Sequence, residues 1–135
     1  MFEHTTKIRV RYGETDQMGY MYYGNYAQFY EVGRVEMLRS MGLTYKGMED
    51  SGIMLPVLEL KCKYLKPALY DEEISVRVII DKIPGIRIHF RYELSNEKGE
   101  LINQGETLLA FINMTTNRPC RPPQDFIDKL VPFFE

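Results

Sequence analysis

Few residues in this chain have the type and spacing for chemistry. His4 and His89 are the only histidines, and Cys62 and Cys120 the only cysteines. The chain has no G-x-S-x-G nucleophile elbow and no G-x-x-x-x-G-K phosphate loop. No group of His, Cys and carboxylate residues stands at ligand spacing, so no metal site is expected. The cysteines lie too far apart for a C-x-x-C redox or zinc motif, and two free thiols are expected. His4 is expected in a frayed terminus, and His89 on the solvent face of a strand, opposite Ile88 and Phe90. Cys62 alternates with core residues and reads as a buried structural thiol.

What remains is the segment Arg11-Tyr-Gly-Glu-Thr-Asp16-Gln-Met-Gly-Tyr-Met-Tyr-Tyr-Gly-Asn-Tyr26. It holds Glu14 and Asp16, three glycines and several tyrosines, and it ends where a helix is expected to begin. Free backbone N–H groups at a helix N-terminus, together with the helix dipole, favour a developing negative charge. They are the raw material of an oxyanion hole. A carboxylate a few residues upstream can fold back beside them as nucleophile or general base. By itself this pattern also fits an ordinary turn aspartate.

The elements that must position this segment follow from periodicity. Apolar residues alternate at Ile8, Val10, Tyr12; at Leu58, Leu60, Cys62, Tyr64; at Ile74, Val76, Val78, Ile80; and at Ile86, Ile88, Phe90, Tyr92, Leu94. A fifth strand is expected from about Leu101 to Met114. Pro84-Gly85 and Asn96 to Gly99 are short turns, so the last three strands form an antiparallel meander. One helix is expected, from Asn25 to Met41, with Tyr26, Tyr30, Gly33, Met37 and Met41 on one stripe. Its opposite side carries Gln28, Val35 and Arg39, Asn25 is the expected N-cap, and Gly42 sits where a C-terminal glycine belongs. Gly33 on the buried stripe costs up to about 1 kcal/mol against Ala and is read as letting a strand approach closely. Glu31 is placed to pair with Arg34 at i+3. A helix about 10 Å wide covers about two strands spaced ~4.8 Å apart. Five strands under one helix must therefore curl, bury their remainder against another chain, or both.

The run Tyr12-Gly-Glu-Thr-Asp16-Gln-Met-Gly19, then Tyr22-Tyr23-Gly24-Asn25-Tyr26 and Phe29-Tyr30-Glu31, resembles the signature of hot-dog-fold acyl-CoA thioesterases. The similarity is to the 4-hydroxybenzoyl-CoA and Tol-Pal-associated types, and it extends to Tyr64-Leu-Lys-Pro67 leading into Asp71-Glu72. It implies an α+β hot-dog fold over residues 1–135, in which a curled antiparallel sheet of about five strands wraps one long central helix. It implies hydrolysis of an acyl-CoA or acyl carrier protein thioester, without metal or cofactor, by a homodimer or homotetramer. By this resemblance Asp16 is the catalytic carboxylate, and the Tyr23 backbone N–H polarises the thioester carbonyl. Gly24, Asn25 and Glu31 are the implied substrate-binding residues. Tyr23 stands where the Tol-Pal type has histidine, and Gly24 where the 4-hydroxybenzoyl type has proline.

Composition sets outer bounds. The chain has 135 residues, 44% hydrophobic and 27% charged, with a net charge of −2. That suits a single globular domain without basic tracts for nucleic acid or an anionic membrane. The opening residues have no signal-peptide core and no stretch approaches ~20 apolar residues, so a cytoplasmic protein without membrane insertion is expected. The competing expectation is a hot-dog domain that binds acyl-CoA or an acyl carrier protein without turnover. A hot-dog dehydratase fits less well, because neither histidine is followed by an acidic residue.

Overall fold

The computed structural model describes residues 1–135. In chain order it holds strand β1 (Phe2–Arg9), helix α1 (Tyr26–Ser40), helix α2 (Tyr45–Asp50), and strands β2 (Ile53–Met54), β3 (Val57–Tyr64), β4 (Glu73–Ile80), β5 (Arg87–Ser95), β6 (Leu101–Ala110), β7 (Ile112–Asn113) and β8 (Arg118–Pro119). Helix α3 (Gln124–Leu130) closes the chain. Five strands form one antiparallel sheet in the order β1-β4-β5-β6-β3, and β2-β7-β8 form a small second sheet. The expected meander of β4, β5 and β6 is present. At its second turn the Asn96 side chain accepts the N–H groups of Lys98 and Glu100 at 3.0 Å each, and Gly99 takes a φ of +79°.

Helix α1 crosses one face of the sheet and supplies Tyr26, Phe29, Tyr30 and Met37 to the core. The facing strands contribute the alternating residues Ile74, Val76, Val78, Ile80 and Ile88, Phe90, Tyr92, Leu94. Gly33 explains the close contact of the two layers. A Cβ there would stand 2.8 Å from a Val78 methyl and 2.9 Å from a Val76 methyl, so only a bare backbone fits. Gly42 follows the helix with a φ of +78°, the left-handed conformation a C-terminal glycine supplies.

Several expectations are corrected. His4 is not frayed: it pairs with Val78 inside β1, and its Nδ1 is buried without a partner. The first strand runs from Phe2 to Arg9, and Tyr12 leaves it for a short 3-10 turn, largely exposed rather than facing the core. The chain has three α-helices, because α2 and α3 span only 6 and 7 residues, too short for a periodic stripe. The run from Leu101 to Met114 divides at Phe111, whose buried side chain packs beside Phe126 of α3.

The buried stripe of α1 is wider than expected and includes Arg34 and Leu38. Arg34 does not pair with Glu31. Its Nε donates to the Tyr45 hydroxyl at 3.2 Å and its Nη1 to the Tyr92 hydroxyl at 2.8 Å. Burial makes the guanidinium seek interior acceptors, a preference that outweighs an exposed i,i+3 pair worth only a few tenths of a kcal/mol. Cys62 is half-buried, with its sulfur 3.3 Å from both the Tyr30 hydroxyl and the Asn103 amide nitrogen.

One part of the sheet stays uncovered. Strand β3 is an edge, bonded only to β6, and its Leu58, Leu60 and Tyr64 are 48%, 49% and 50% exposed. The helix is too narrow to reach across all five strands, as the width argument requires.

Candidate active site

The Asp16 loop is built by hydrogen bonds that its own residues supply. Glu14 is buried at 7% exposure, and its two carboxylate oxygens accept the Arg11 backbone N–H at 2.7 Å and the Arg11 guanidinium at 3.3 Å. Residues Asp16 to Gly19 make a tight turn, with Gly19 N–H donating to the Asp16 carbonyl at 3.1 Å and a Gly19 φ of +78°. The Asp16 N–H donates to the Tyr20 carbonyl at 2.8 Å and closes a small hairpin, in which Thr15 opposes Met21. Met21 N–H then donates to the Ala68 carbonyl at 2.7 Å, docking the hairpin on the segment between β3 and β4.

Within this frame the half-buried Asp16 side chain is asymmetric. Its Oδ1 accepts the N–H groups of Met18 at 2.9 Å and Tyr20 at 3.2 Å. Its Oδ2 has no partner in the chain and is free to act on a ligand.

The start of the helix is tied to the same loop. Glu14's carbonyl accepts the Tyr22 N–H at 2.8 Å and the Asn25 side-chain amide at 2.9 Å. Asn25 is therefore not an N-cap in the usual sense: its side chain reaches back to Glu14 instead of to the first helical N–H groups. The reason is that a 3-10 turn, Tyr23–Asn25, extends the helical axis by one turn and puts Asn25 itself in helical conformation. The backbone N–H groups of Tyr23 and Gly24 accordingly open the helical axis and donate to nothing in the chain. They carry the positive end of the helix dipole.

Asp16 and Tyr23 line one cavity of about 340 Å³, with Tyr26, Tyr64, Leu65 and Pro67 among its other walls. Tyr64 donates to the Tyr23 carbonyl at 3.3 Å, and its ring stands edge-on to those of Tyr23 and Tyr26 at 6.4 and 5.2 Å. Burial pushes the Tyr26 phenol up, against the backbone at Ala68, with Cys62 and Asp16 adding to it. Desolvation, then Cys62, pushes the Tyr64 phenol up to about 12. Both shifts favour the protonated phenol.

Of the five residues singled out, the fold brings Asp16 and Tyr23 to one cavity. Gly24 lies beside them, where a Cβ would stand 2.7 Å from the Tyr22 ring, and Asn25 fastens the helix to the loop. Glu31 lies further along α1, exposed and without a bond. Tyr26 and Tyr64 are the walls that residue types alone did not single out. Their signal is their place in the two quoted motifs, Tyr22 to Tyr26 and Tyr64 to Pro67.

Residues 10–130 match the thioesterase-like superfamily. YneP of Bacillus subtilis (strain 168), a relative named for acyl-CoA thioesterase activity, is 39% identical over 127 residues, 93% of this chain and 92% of its own. The acyl-CoA thioester hydrolase YbgC of Escherichia coli O157:H7 is 26% identical over 89% of this chain and 90% of its own. Among solved structures, a DHNA-CoA thioesterase from Staphylococcus aureus superposes with a TM-score of 0.92 at 36% identity, over 99% of this chain and 92% of that one.

Proposed function

Because the chain belongs to the thioesterase-like superfamily, we propose that it is a single-domain acyl-CoA thioesterase, cleaving the thioester to a free acid and a thiol. The observation that carries this reading is the shared cavity, lined by Asp16, with a carboxylate oxygen without a partner, and by Tyr23, whose N–H at the helix start is unpaired. The acyl carbonyl oxygen points at the Tyr23 N–H, where the helix dipole stabilises the charge that grows on it. Asp16 Oδ2 serves the attack, by taking a proton from water or by adding to the carbonyl carbon itself. When Asp16 acts as base, the C–S bond breaks as the tetrahedral centre collapses and the thiolate takes the proton drawn from water. When it adds directly, the thiolate leaves an Asp16 mixed anhydride, which water then hydrolyses to the acid and the free carboxylate, its proton going to the thiolate. The Tyr64 bond to the Tyr23 carbonyl holds the next peptide along, the one that carries the Gly24 N–H. Gly24 supplies a second N–H, Asn25 acts by positioning, and Glu31 takes a substrate-side role along the helix.

Edge strand β3 supports assembly as a homodimer or a dimer of dimers. Its exposed Leu58, Leu60 and Tyr64 form an apolar row on a strand with one unpaired side. Tyr64 belongs to both that row and the cavity, so a partner seated there would close the acyl site to water. No helix is long and apolar enough to cross a membrane. The free thiols of Cys62 and Cys120 suit the reducing cytoplasm in which we place the protein.

The test is thiol release from a panel of short, long and aromatic acyl-CoA substrates. Turnover of at least one, lost in Asp16→Asn, is the expected result. A protein that binds acyl-CoA stoichiometrically and releases no thiol from any of them would be a carrier, and the proposal would fail.

A further inference from the structure

The turn that carries the Tyr23 N–H is held one peptide at a time. The peptide bearing that N–H is fixed within the turn itself, because its carbonyl, on Tyr22, accepts the Asn25 N–H at 2.9 Å. The following peptide is fixed from two directions. Its carbonyl, on Tyr23, accepts the Tyr26 N–H from inside the turn and the Tyr64 hydroxyl from outside it, the latter at 3.3 Å. Tyr64 is the last residue of edge strand β3, so this bond joins the sheet to the helix start.

The backbone beneath Tyr64 has little freedom. Tyr64 pairs with the fully buried Asn103 of β6, and the N–H groups of Leu65 and Lys66 both donate to the Ile102 carbonyl, at 2.9 and 3.1 Å. Movement at this point therefore belongs to the Tyr64 side chain, whose ring walls the cavity and meets the Tyr23 and Tyr26 rings edge-on. The raised pKa of the phenol favours the form that donates. Its bond is a long one. O–H···O contacts centre on about 2.7–2.8 Å, which leaves the hydroxyl roughly 0.5 Å in which to advance. A group pressed against the ring changes that distance, and with it the hold on Tyr23.

One side chain thus touches both the space open to an acyl group and the residue whose N–H is assigned to the thioester carbonyl. We propose that Tyr64 is a positioning residue through which the acyl group sets the rate of the chemical step. An acyl group packed on its ring seats the hydroxyl against the Tyr23 carbonyl and steadies the donor, and one that leaves the ring untouched does not. This inference rests on the thioesterase reading above. Its consequence is that acyl groups are told apart in the rate of C–S cleavage as well as in binding, because contact remote from the reacting carbon is spent on alignment. In this role Tyr64 transfers no proton.

The experiment reads single-turnover thiol release from short, medium and long acyl-CoA, with the protein in excess, giving a limiting rate and a half-saturation concentration for each. Wild-type limiting rates should differ by more than about threefold across the series. Tyr64→Phe keeps the ring and removes the hydroxyl. It should lower the fastest limiting rate about fivefold, the worth of one neutral hydrogen bond, and bring all of them within about twofold of one another. Each half-saturation concentration should stay within about twofold of wild type. Tyr64→Leu, which lacks the ring as well, should lose the same rate preference and also raise the half-saturation concentration of the best substrate. Circular dichroism and sedimentation of Tyr64→Phe should match wild type. The inference is overturned if wild-type limiting rates are alike across the series, or if Tyr64→Phe keeps their spread. It is equally overturned if the Phe effect falls on half-saturation alone, or if that variant changes fold or assembly. Wild-type protein that releases no thiol from any of the three would overturn the thioesterase reading itself, a result separable from all of these.

Discussion

Asp16 commits one oxygen to its loop and leaves free the one that we propose acts on the substrate, and substitution should pull the two roles apart. Asn keeps an acceptor at Oδ1 for the N–H groups of Met18 and Tyr20, held at 2.9 and 3.2 Å, and replaces only the free Oδ2. The loop bonds fall from charge-assisted to neutral, a loss of about 1 kcal/mol at most for a half-exposed group. Ala removes both acceptors. Two net contributions of about 0.5–1.5 kcal/mol each give about 1–3 kcal/mol of destabilisation. For a chain of 135 residues, 1 kcal/mol moves Tm by roughly 4 °C. Asp16→Asn should therefore melt within roughly 4 °C of wild type, and Asp16→Ala roughly 4–12 °C lower. Turnover should fall at least ~100-fold in both, because both lack the base or nucleophile. Thermal circular dichroism and thiol release on the same preparations measure the two effects. Turnover of Asp16→Asn within threefold of wild type would refute the chemical role, and equal melting of the two variants would refute the structural one.

Three further outcomes follow from the same geometry. Tyr23→Phe should retain most activity, because the donor is the backbone N–H; Tyr23→Pro should abolish turnover while circular dichroism shows a folded chain, since proline removes that donor. Gly33→Ala should destabilise despite its better helix propensity, because a methyl 2.8 Å from Val78 and 2.9 Å from Val76 costs about 1–3 kcal/mol against a gain of up to ~1 kcal/mol; a rise in Tm would show that the layers can separate freely. Sedimentation at micromolar concentration should give at least twice the chain mass of 15.9 kDa, and Leu60→Lys on the exposed edge of β3 should shift it toward the monomer; an active wild-type monomer would refute assembly through β3.

Much of the framework was legible because it depends on local patterns. The meander announced itself through period-two alternation and two turns, and Gly33 through its place on a buried stripe. Other features depend on contacts between distant residues and leave no local trace. His4 is ordered because β1 pairs along its full length with β4, some 70 residues later, and no property of a short terminal segment reports that. Arg34 shares the helix surface with Glu31, and spacing alone favours their pairing; what decides otherwise is the presence of Tyr45 and Tyr92 in the interior. The short helices α2 and α3 owe their helicity to packing of Met48 and Phe126 rather than to a repeating stripe. At the site, the motif marked Asp16 and Tyr23, while Asn25 carried the right residue type for a cap and a different duty.

The segment before α1 contains two carboxylates two residues apart, and residue type cannot say which is available for chemistry. The structure separates them by what each oxygen already does. Both Glu14 oxygens are engaged by Arg11, and the Glu14 carbonyl fastens Tyr22 and Asn25, so this residue fixes the helix start relative to the loop. Asp16 has one oxygen committed to the turn and one free. A carboxylate that acts on a carbonyl held by a backbone N–H must keep its distance from that N–H within a few tenths of an ångström, since a displacement of ~1 Å can cost ~100-fold. The carboxylate and the N–H stand only seven residues apart, and the Glu14 carbonyl bonds the chain on the far side of the hairpin that separates them. The two groups that we propose as the reactive pair are therefore tied to one another through a single buried residue.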